Sequence, residues 1–222
     1  MQTDRHELTA DAGALQEQLR HVYWIGGGSG AGKSTIARRI AADHGLQLYV
    51  TDDVMLDHSK RSTPECCPLL HKFMAMEMDE RWVNRSPKAM LETFHWFRGE
   101  GFSMISEDIL RLPKEPGVIA EGFRLLPHLV KPLLAVYGQA VWLLPTLEFR
   151  QAVLDSRGGP KWEFLGKTSD PEQALRNLLE RDAMFTQRLY EEAERLELHT
   201  IEVDTTMTVD DLARRVRELF GL

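Results

Sequence analysis

Two hydrophobic rhythms alternate along this chain. Short apolar-rich runs fall at 22–25, 46–50, 118–120 and 140–144, and a β-branched stretch at 199–203, with the length and the β-branched or aromatic content of strands. Between them apolar residues recur at helical spacing. Strand alternating with helix predicts an α/β fold of three layers, a parallel sheet of five strands with helices on both faces. The runs end on the glycines that follow Ile25, on Thr51-Asp52-Asp53, on Glu121-Gly122, on Pro145 and on Asp204. Ligands of such sheets sit beyond the carboxyl ends of the strands. The glycine-rich segment, Asp52, Asp53, Glu121 and Thr146 are therefore expected on one edge.

Helix ends are marked by their chemistry. Asp170-Pro171-Glu172-Gln173 supplies an N-cap, a proline at the first helical position and an acidic first turn for a long helix reaching Leu196. Thr208-Val209-Asp210-Asp211 resembles a capping box, opening a helix with Leu212, Val216 and Phe220 on one face. Leu8, Ala12, Leu15 and Leu19 predict a further helix near the N-terminus. Between the second and third strands lie roughly 65 residues, where a plain crossover needs about a dozen. One helix is expected there from Pro68 through Phe73, Met76 and Trp82. Another begins at Ser86-Pro87 and carries Met90, Leu91, Phe94 and Phe97. The chain reads as a single domain, 1–222, with an inserted helical lobe at 57–115 over the strand ends and a lid segment at 155–170. The lobe is the natural place for a second substrate.

Composition narrows the classes. An apolar content of 43% supports a full core in 222 residues, and no run approaches the roughly 18 apolar residues of a membrane span. The N-terminal segment lacks the apolar core of a secretory signal. Cys66 and Cys67 are the only cysteines and are adjacent, which favours reduced packing residues over a bridge or a zinc site. A cytoplasmic location is expected. The net charge of −7 disfavours nucleic acid as a partner. Neither a membrane partner nor an oligomeric state is indicated.

The chemistry concentrates after the first strand, where Gly27-Gly28-Ser29-Gly30-Ala31-Gly32-Lys33-Ser34 matches G-x-x-x-x-G-K-[ST]. In this pattern backbone N–H groups wrap a polyphosphate, the lysine reaches the outer phosphates and the serine hydroxyl ligates magnesium. Glycines leave room for phosphate oxygens and for positive φ angles. The helix that begins at Ser34-Thr35 places its N-terminus under the phosphates. The loop implies a nucleoside triphosphate, with ATP and Mg2+ as cofactors.

Transfer of a phosphoryl group needs little more than positioning and charge neutralisation, and candidates for each part are present. Asp52 and Asp53 end the second strand, where one is expected to cap the following helix and the other to orient an acceptor hydroxyl or hold magnesium through water. Glu121 occupies the place of a strand-end magnesium acid. Arg150, Arg157 and Arg181 flank Gly158-Gly159-Pro160, a segment whose closure would deliver guanidinium groups to the developing charge. For each arginine alone a solvated helix face is the commoner explanation. Arg157 is the strongest of the three, and Arg124 is a further candidate for an anionic substrate. Trp82, Trp96 and Trp162 either line the acceptor pocket or pack. His58, His71 and His95 lack metal-ligand spacing, and Met74, Met76 and Met78 read as core.

Taken in order, residues 27–35, Asp52-Asp53, the arginines from Arg150 to Arg181 and Val203-Asp204-Thr205-Thr206 resemble the small P-loop kinases that act on shikimate, gluconate, adenylate and nucleosides. The resemblance implies strand order 2-3-1-4-5, an adenine site between the lid segment and the loop after the fifth strand, and Mg-ATP as donor. It further implies that Asp52 or Asp53 contacts the acceptor and that Arg157 is a lid arginine. Glu121-Gly122-Phe123-Arg124 departs from the glycine-rich third-strand motif of shikimate kinases, and the lobe matches no subfamily, which leaves the acceptor open. The expected function is transfer of the γ-phosphoryl group of Mg-ATP to a small-molecule acceptor, a metabolite or a nucleoside or nucleotide. The alternatives are an ATPase or GTPase switch acting on a macromolecule, and a polynucleotide kinase-like enzyme.

Overall fold

The computed structural model describes residues 13–222. Its centre is one five-stranded parallel sheet, built from β1 (Val22–Gly27), β2 (Gln47–Val50), β3 (Val118–Glu121), β4 (Ala140–Pro145) and β5 (His199–Val203), in the order β2-β3-β1-β4-β5. This is the order the resemblance implies. The three central strands read as continuous apolar runs because both faces are covered. Val22, Trp24, Val118, Ala120, Ala140, Trp142 and Leu144 belong to one core, and Ile25, Ile119, Val141 and Leu143 to the opposite one.

The opposite core is closed by α1 (Lys33–His44), through Ile36, Ala37 and Ile40, and by α10 (Val209–Phe220), through Leu212, Val216 and Phe220. Thr208 caps α10 as its sequence predicts, accepting from the Asp211 amide at 3.1 Å. The reciprocal carboxylate bonds the Thr208 hydroxyl instead of its amide, so the box is only half formed. The first core packs on the long helix α9 (Pro171–Arg195), through Phe185, Leu189 and Ala193. Asp170 caps α9 from its side chain and Pro171 occupies the first turn, as expected. Leu19 is buried in this core and Leu15 packs against it, whereas Leu8 and Ala12 lie outside the described residues.

Five helices fill the long connection between β2 and β3, namely α2 (Met55–Arg61), α3 (Pro68–Ala75), α4 (Met78–Trp82), α5 (Pro87–Thr93) and α6 (Phe102–Leu110). The single helix expected from Pro68 to Trp82 is two. Met76 and Glu77 are extended, and the Arg81 guanidinium takes the carbonyls of Met74 and Met76 at 2.8 and 2.9 Å, which satisfies the broken end. Met74 is exposed instead of core, Cys66 is exposed and only Cys67 is buried. Beyond β3 come the single turn α7 (Pro127–Val130) and, after β4, α8 (Leu147–Ser156), capped by the Thr146 hydroxyl. No helix among the described residues is long and apolar enough to cross a membrane.

Candidate active site

Strand register assembles the site. Glu121 pairs with Ile25 of β1 on one side and with Val50 of β2 on the other. The last residue of β3 therefore lies between the entry to the glycine-rich loop and the approach to Asp52. The loop leaves β1 through Gly27, whose φ of 130° a side chain rarely adopts and where a Cβ would stand 2.0 Å from the Leu143 carbonyl oxygen. It enters α1 through Gly32 at φ 82°, and no side chain caps that helix. An uncapped helix start of this kind suits an anion.

Lys33 is buried, and its Nζ donates to the Gly28 carbonyl across the loop at 2.7 Å. Burial pulls its ammonium below the ordinary lysine value, while Glu121 and Asp52 pull it back. Glu121 is only 2% exposed, and its Oε1 has no hydrogen-bond partner among the described residues. Burial raises its carboxyl, against the neighbouring Ser34 hydroxyl and Lys33. A buried carboxylate oxygen without a partner is costly, and beside a serine at the glycine-rich loop it fits Mg2+, a hard cation that takes oxygen ligands. Ser34, Glu121 and Asp52 are the residues able to hold that ion directly or through water.

A cavity of about 410 Å³ opens over the loop and is lined by residues 29–35, Asp52, Glu121, Arg150, Arg157 and Arg181, among others. The sequence-nominated groups thus converge, with three differences. Asp53 does not line the cavity, and neither aspartate side chain caps α2, whose start is a backbone turn closed by the Asp52 carbonyl. Asp52 itself is open to solvent on one side but crowded by protein, which raises its carboxyl against the pull of Lys33 and Arg124. Thr146 lines a neighbouring cavity of about 340 Å³ with Arg150, Asp182 and Glu202.

The arginines differ most from expectation. Arg150 and Arg181 are each 5% exposed, not solvated, and both are held by one buried carboxylate. Asp182 Oδ2 accepts from Arg150 Nε and Nη2 at 3.1 and 2.7 Å, and Oδ1 accepts from Arg181 Nε and Nη2 at the same two distances. Such paired bonds fix the planar groups in place. Arg150 Nη1 stays unpartnered among the described residues and faces Gly30, where a Cβ would stand 2.7 Å away. Sequence reasoning missed Asp182. Its signal was a carboxylate in line with Leu178, Phe185 and Leu189 on the buried stripe of α9. Arg157 remains exposed, at the end of α8, with its guanidinium 5.4 Å from the Trp162 ring.

Arg124 is not available to a substrate. It is 1% exposed and lies 3.9 Å from the Trp96 ring, which takes Trp96 as well out of the cavity lining. Its Nη1 donates to the Thr51 carbonyl at 3.3 Å and its Nη2 to His58 Nδ1 at 2.9 Å. His58 must then carry its proton on Nε2, 2.7 Å from Asp108 Oδ2. Asp108 also accepts from Tyr49 and Arg61. This chain of bonds anchors the residue just before Asp52. Burial pushes the Arg124 guanidinium down to about 10 and lowers His58 too. Burial, with Arg124, Arg181 and Arg81 nearby, holds His95 down at about 3. Among the described residues no cluster of ligating side chains forms a protein-only metal site.

A histidine whose folded pKa lies below its unfolded value of about 6.5 supports the fold above that pH. The support disappears as pH falls towards the folded value. For His95 the window runs from 6.5 down to about 3. Urea unfolding at pH 6.5 and pH 5 should therefore show a loss of about 2 kcal/mol from this residue alone, at roughly 1.4 kcal/mol per pH unit. The variant His95→Phe should flatten the profile by that amount; an unchanged slope would contradict a buried neutral imidazole.

No protein-family model matches the chain, and no curated protein matches it. Among solved structures it is similar to an uncharacterized protein from Eubacterium ventriosum, at 15% identity and TM-score 0.46, over 90% of this chain and 97% of the other. It is similar to a gluconokinase from Sinorhizobium meliloti, at 18% identity and TM-score 0.43, over 91% and 93%. A shikimate kinase from Acinetobacter baumannii, solved in complex with shikimate, matches at 18% identity and TM-score 0.44, over 90% and 92%. The fold stands on the sheet order and register, independently of these likenesses.

Proposed function

We propose that the chain is an ATP-dependent phosphotransferase that moves the γ-phosphoryl group of Mg-ATP to a hydroxyl of a small molecule. The observation that carries this reading is the buried Lys33 between a glycine loop with uncapped helix amides and a carboxylate oxygen without a partner. The loop amides and Lys33 hold the phosphates and neutralise their charge. Ser34 and Glu121 hold the magnesium, which when bound supplies charge neutralisation at the phosphates. Arg150 and Arg181, fixed by Asp182, set a rigid cationic wall. Arg157, on the exposed segment before Trp162, is the lid arginine. The segment 155–170 is the lid and 57–115 the acceptor-binding lobe.

Asp52 is the group placed to accept the proton of the acceptor hydroxyl, since it lines the cavity and its carboxylate is crowded. Substituting Asp52→Asn should lower kcat by about a hundredfold or more, while nucleotide affinity measured by calorimetry changes less than threefold. The variant Asp53→Asn should keep most of the turnover. Equal losses of turnover and nucleotide affinity in Asp52→Asn would move that residue from the acceptor to the magnesium. The reading as a whole is tested by incubating the protein with labelled Mg-ATP and a panel of hydroxylated metabolites, nucleosides and nucleoside monophosphates. Label should pass to one class of acceptor. Hydrolysis with no transfer to any member would favour an ATPase instead.

A further inference from the structure

The cavity lining is of two chemical kinds. The glycine loop, Asp52 and Glu121 are polar. A cluster of rings, Trp82, Phe94, Phe97, Phe123, Trp162 and Phe164, also lines it, with Arg181 among them. These rings come from four separate stretches, the end of α4, the turn after α5, the second residue after Glu121, and the segment following α8. The rings brace one another: Trp82 and Phe164 lie 4.6 Å apart, Trp162 and Phe164 5.3 Å, and Phe94 and Phe97 4.8 Å. Arg181 lies 5.0, 5.1 and 5.3 Å from the rings of Phe94, Phe97 and Trp82, with two of its nitrogens committed to Asp182.

Rings of this kind suit the several hydroxyls of a polyol poorly. Each buried hydroxyl left without a partner costs about 1–3 kcal/mol, and the rings themselves offer no more than two indole N–H groups. A flat π body finds offset or edge contacts worth about 0.5–1.5 kcal/mol each beyond its burial. Guanidinium N–H groups edged by rings suit a ring carbonyl or ring nitrogen.

Resting on the phosphotransferase reading, we infer that the acceptor is a hydroxyl-bearing compound with a flat aromatic or heteroaromatic body, such as a nucleoside or an aryl alcohol. The ring packs against the aromatic cluster and the hydroxyl points to Asp52. In the transfer the acceptor O–H proton passes to the Asp52 carboxylate, the acceptor oxygen bonds to the γ-phosphorus, and the bond from that phosphorus to the β,γ-bridging oxygen breaks, releasing ADP.

Calorimetry on the full chain tests binding apart from chemistry. The probes are adenosine, guanosine, cytidine, uridine and 2-phenylethanol in one arm, and gluconate, shikimate and glycerol in the other. At least one member of the aromatic arm should bind at least tenfold more tightly than every polyol. Its affinity should fall about fivefold or more in Phe164→Leu, which keeps an apolar side chain, and likewise in Trp162→Leu, with circular dichroism confirming that both fold. Tighter binding by a polyol, or no binding by any aromatic probe, overturns the inference. ADP release with each probe and Mg-ATP then separates the two readings. Transfer to a polyol alone keeps the phosphotransferase and removes the aromatic acceptor. Aromatic binding with no transfer removes the phosphotransferase and leaves an aromatic-ligand site.

Discussion

Replacing Lys33 with alanine should lower kcat by about a hundred- to a thousandfold, a loss near 3–4 kcal/mol of transition-state stabilisation. Its ammonium bridges its own loop by donating to the Gly28 carbonyl, with Glu121 and Asp52 close by. A triphosphate offers stronger acceptors than a neutral carbonyl, so the arm is poised to exchange one partner for the other. The same burial that makes the charge effective makes it expensive for the resting fold. The melting temperature should accordingly change by no more than about 3 °C. Steady-state kinetics and a thermal melt check both halves. Turnover within tenfold of the parent would reject the role of Lys33 at the phosphates.

Removing Asp182 should do the reverse, with its main effect on the fold. One carboxylate, 2% exposed, is shared by two guanidinium groups that are themselves buried. Deleting one partner of a buried ion pair costs about 3–5 kcal/mol, because the remaining charge is left uncompensated. For a chain of this size that corresponds to a fall of roughly 10 °C in melting temperature. Adding Arg150→Met and Arg181→Met to Asp182→Ala should restore part of the loss, since apolar residues of similar volume often replace buried ions at little cost. A fall of less than 3 °C for Asp182→Ala, or no recovery in the triple variant, would show that the guanidinium groups find water instead.

The sheet was legible because its strands announce themselves locally. Continuous apolar runs closed by Gly, Glu or Pro define the three central strands, shorter apolar-rich stretches ending at Thr51-Asp52 and Asp204 define the two edge strands, and the glycine loop sits where the first strand meets its helix. Caps at Asp170 and Thr208 were equally local, each a side chain answering an amide three residues on. What escaped was tertiary. Asp182 meets Arg150 from 32 residues away, and a single arginine on a helix reads as solvated until that partner is known. Arg124 looked free for a substrate because His58 and Thr51, which occupy it, belong to a different element. The break between α3 and α4 carries no proline or glycine; it follows from Arg81 folding back onto two carbonyls. Asp52 and Asp53 were indistinguishable in sequence, and the turn after β2 brings only the first to the cavity.

The account turns on the loop at the end of β1 and on what its amides hold. Isothermal titration of the full chain with ATP, with and without Mg2+, addresses this most directly. One equivalent should bind with measurable heat, tighter in the presence of magnesium, and Lys33→Ala should weaken it at least tenfold. Absence of heat with both ATP and GTP, magnesium present, would contradict the account.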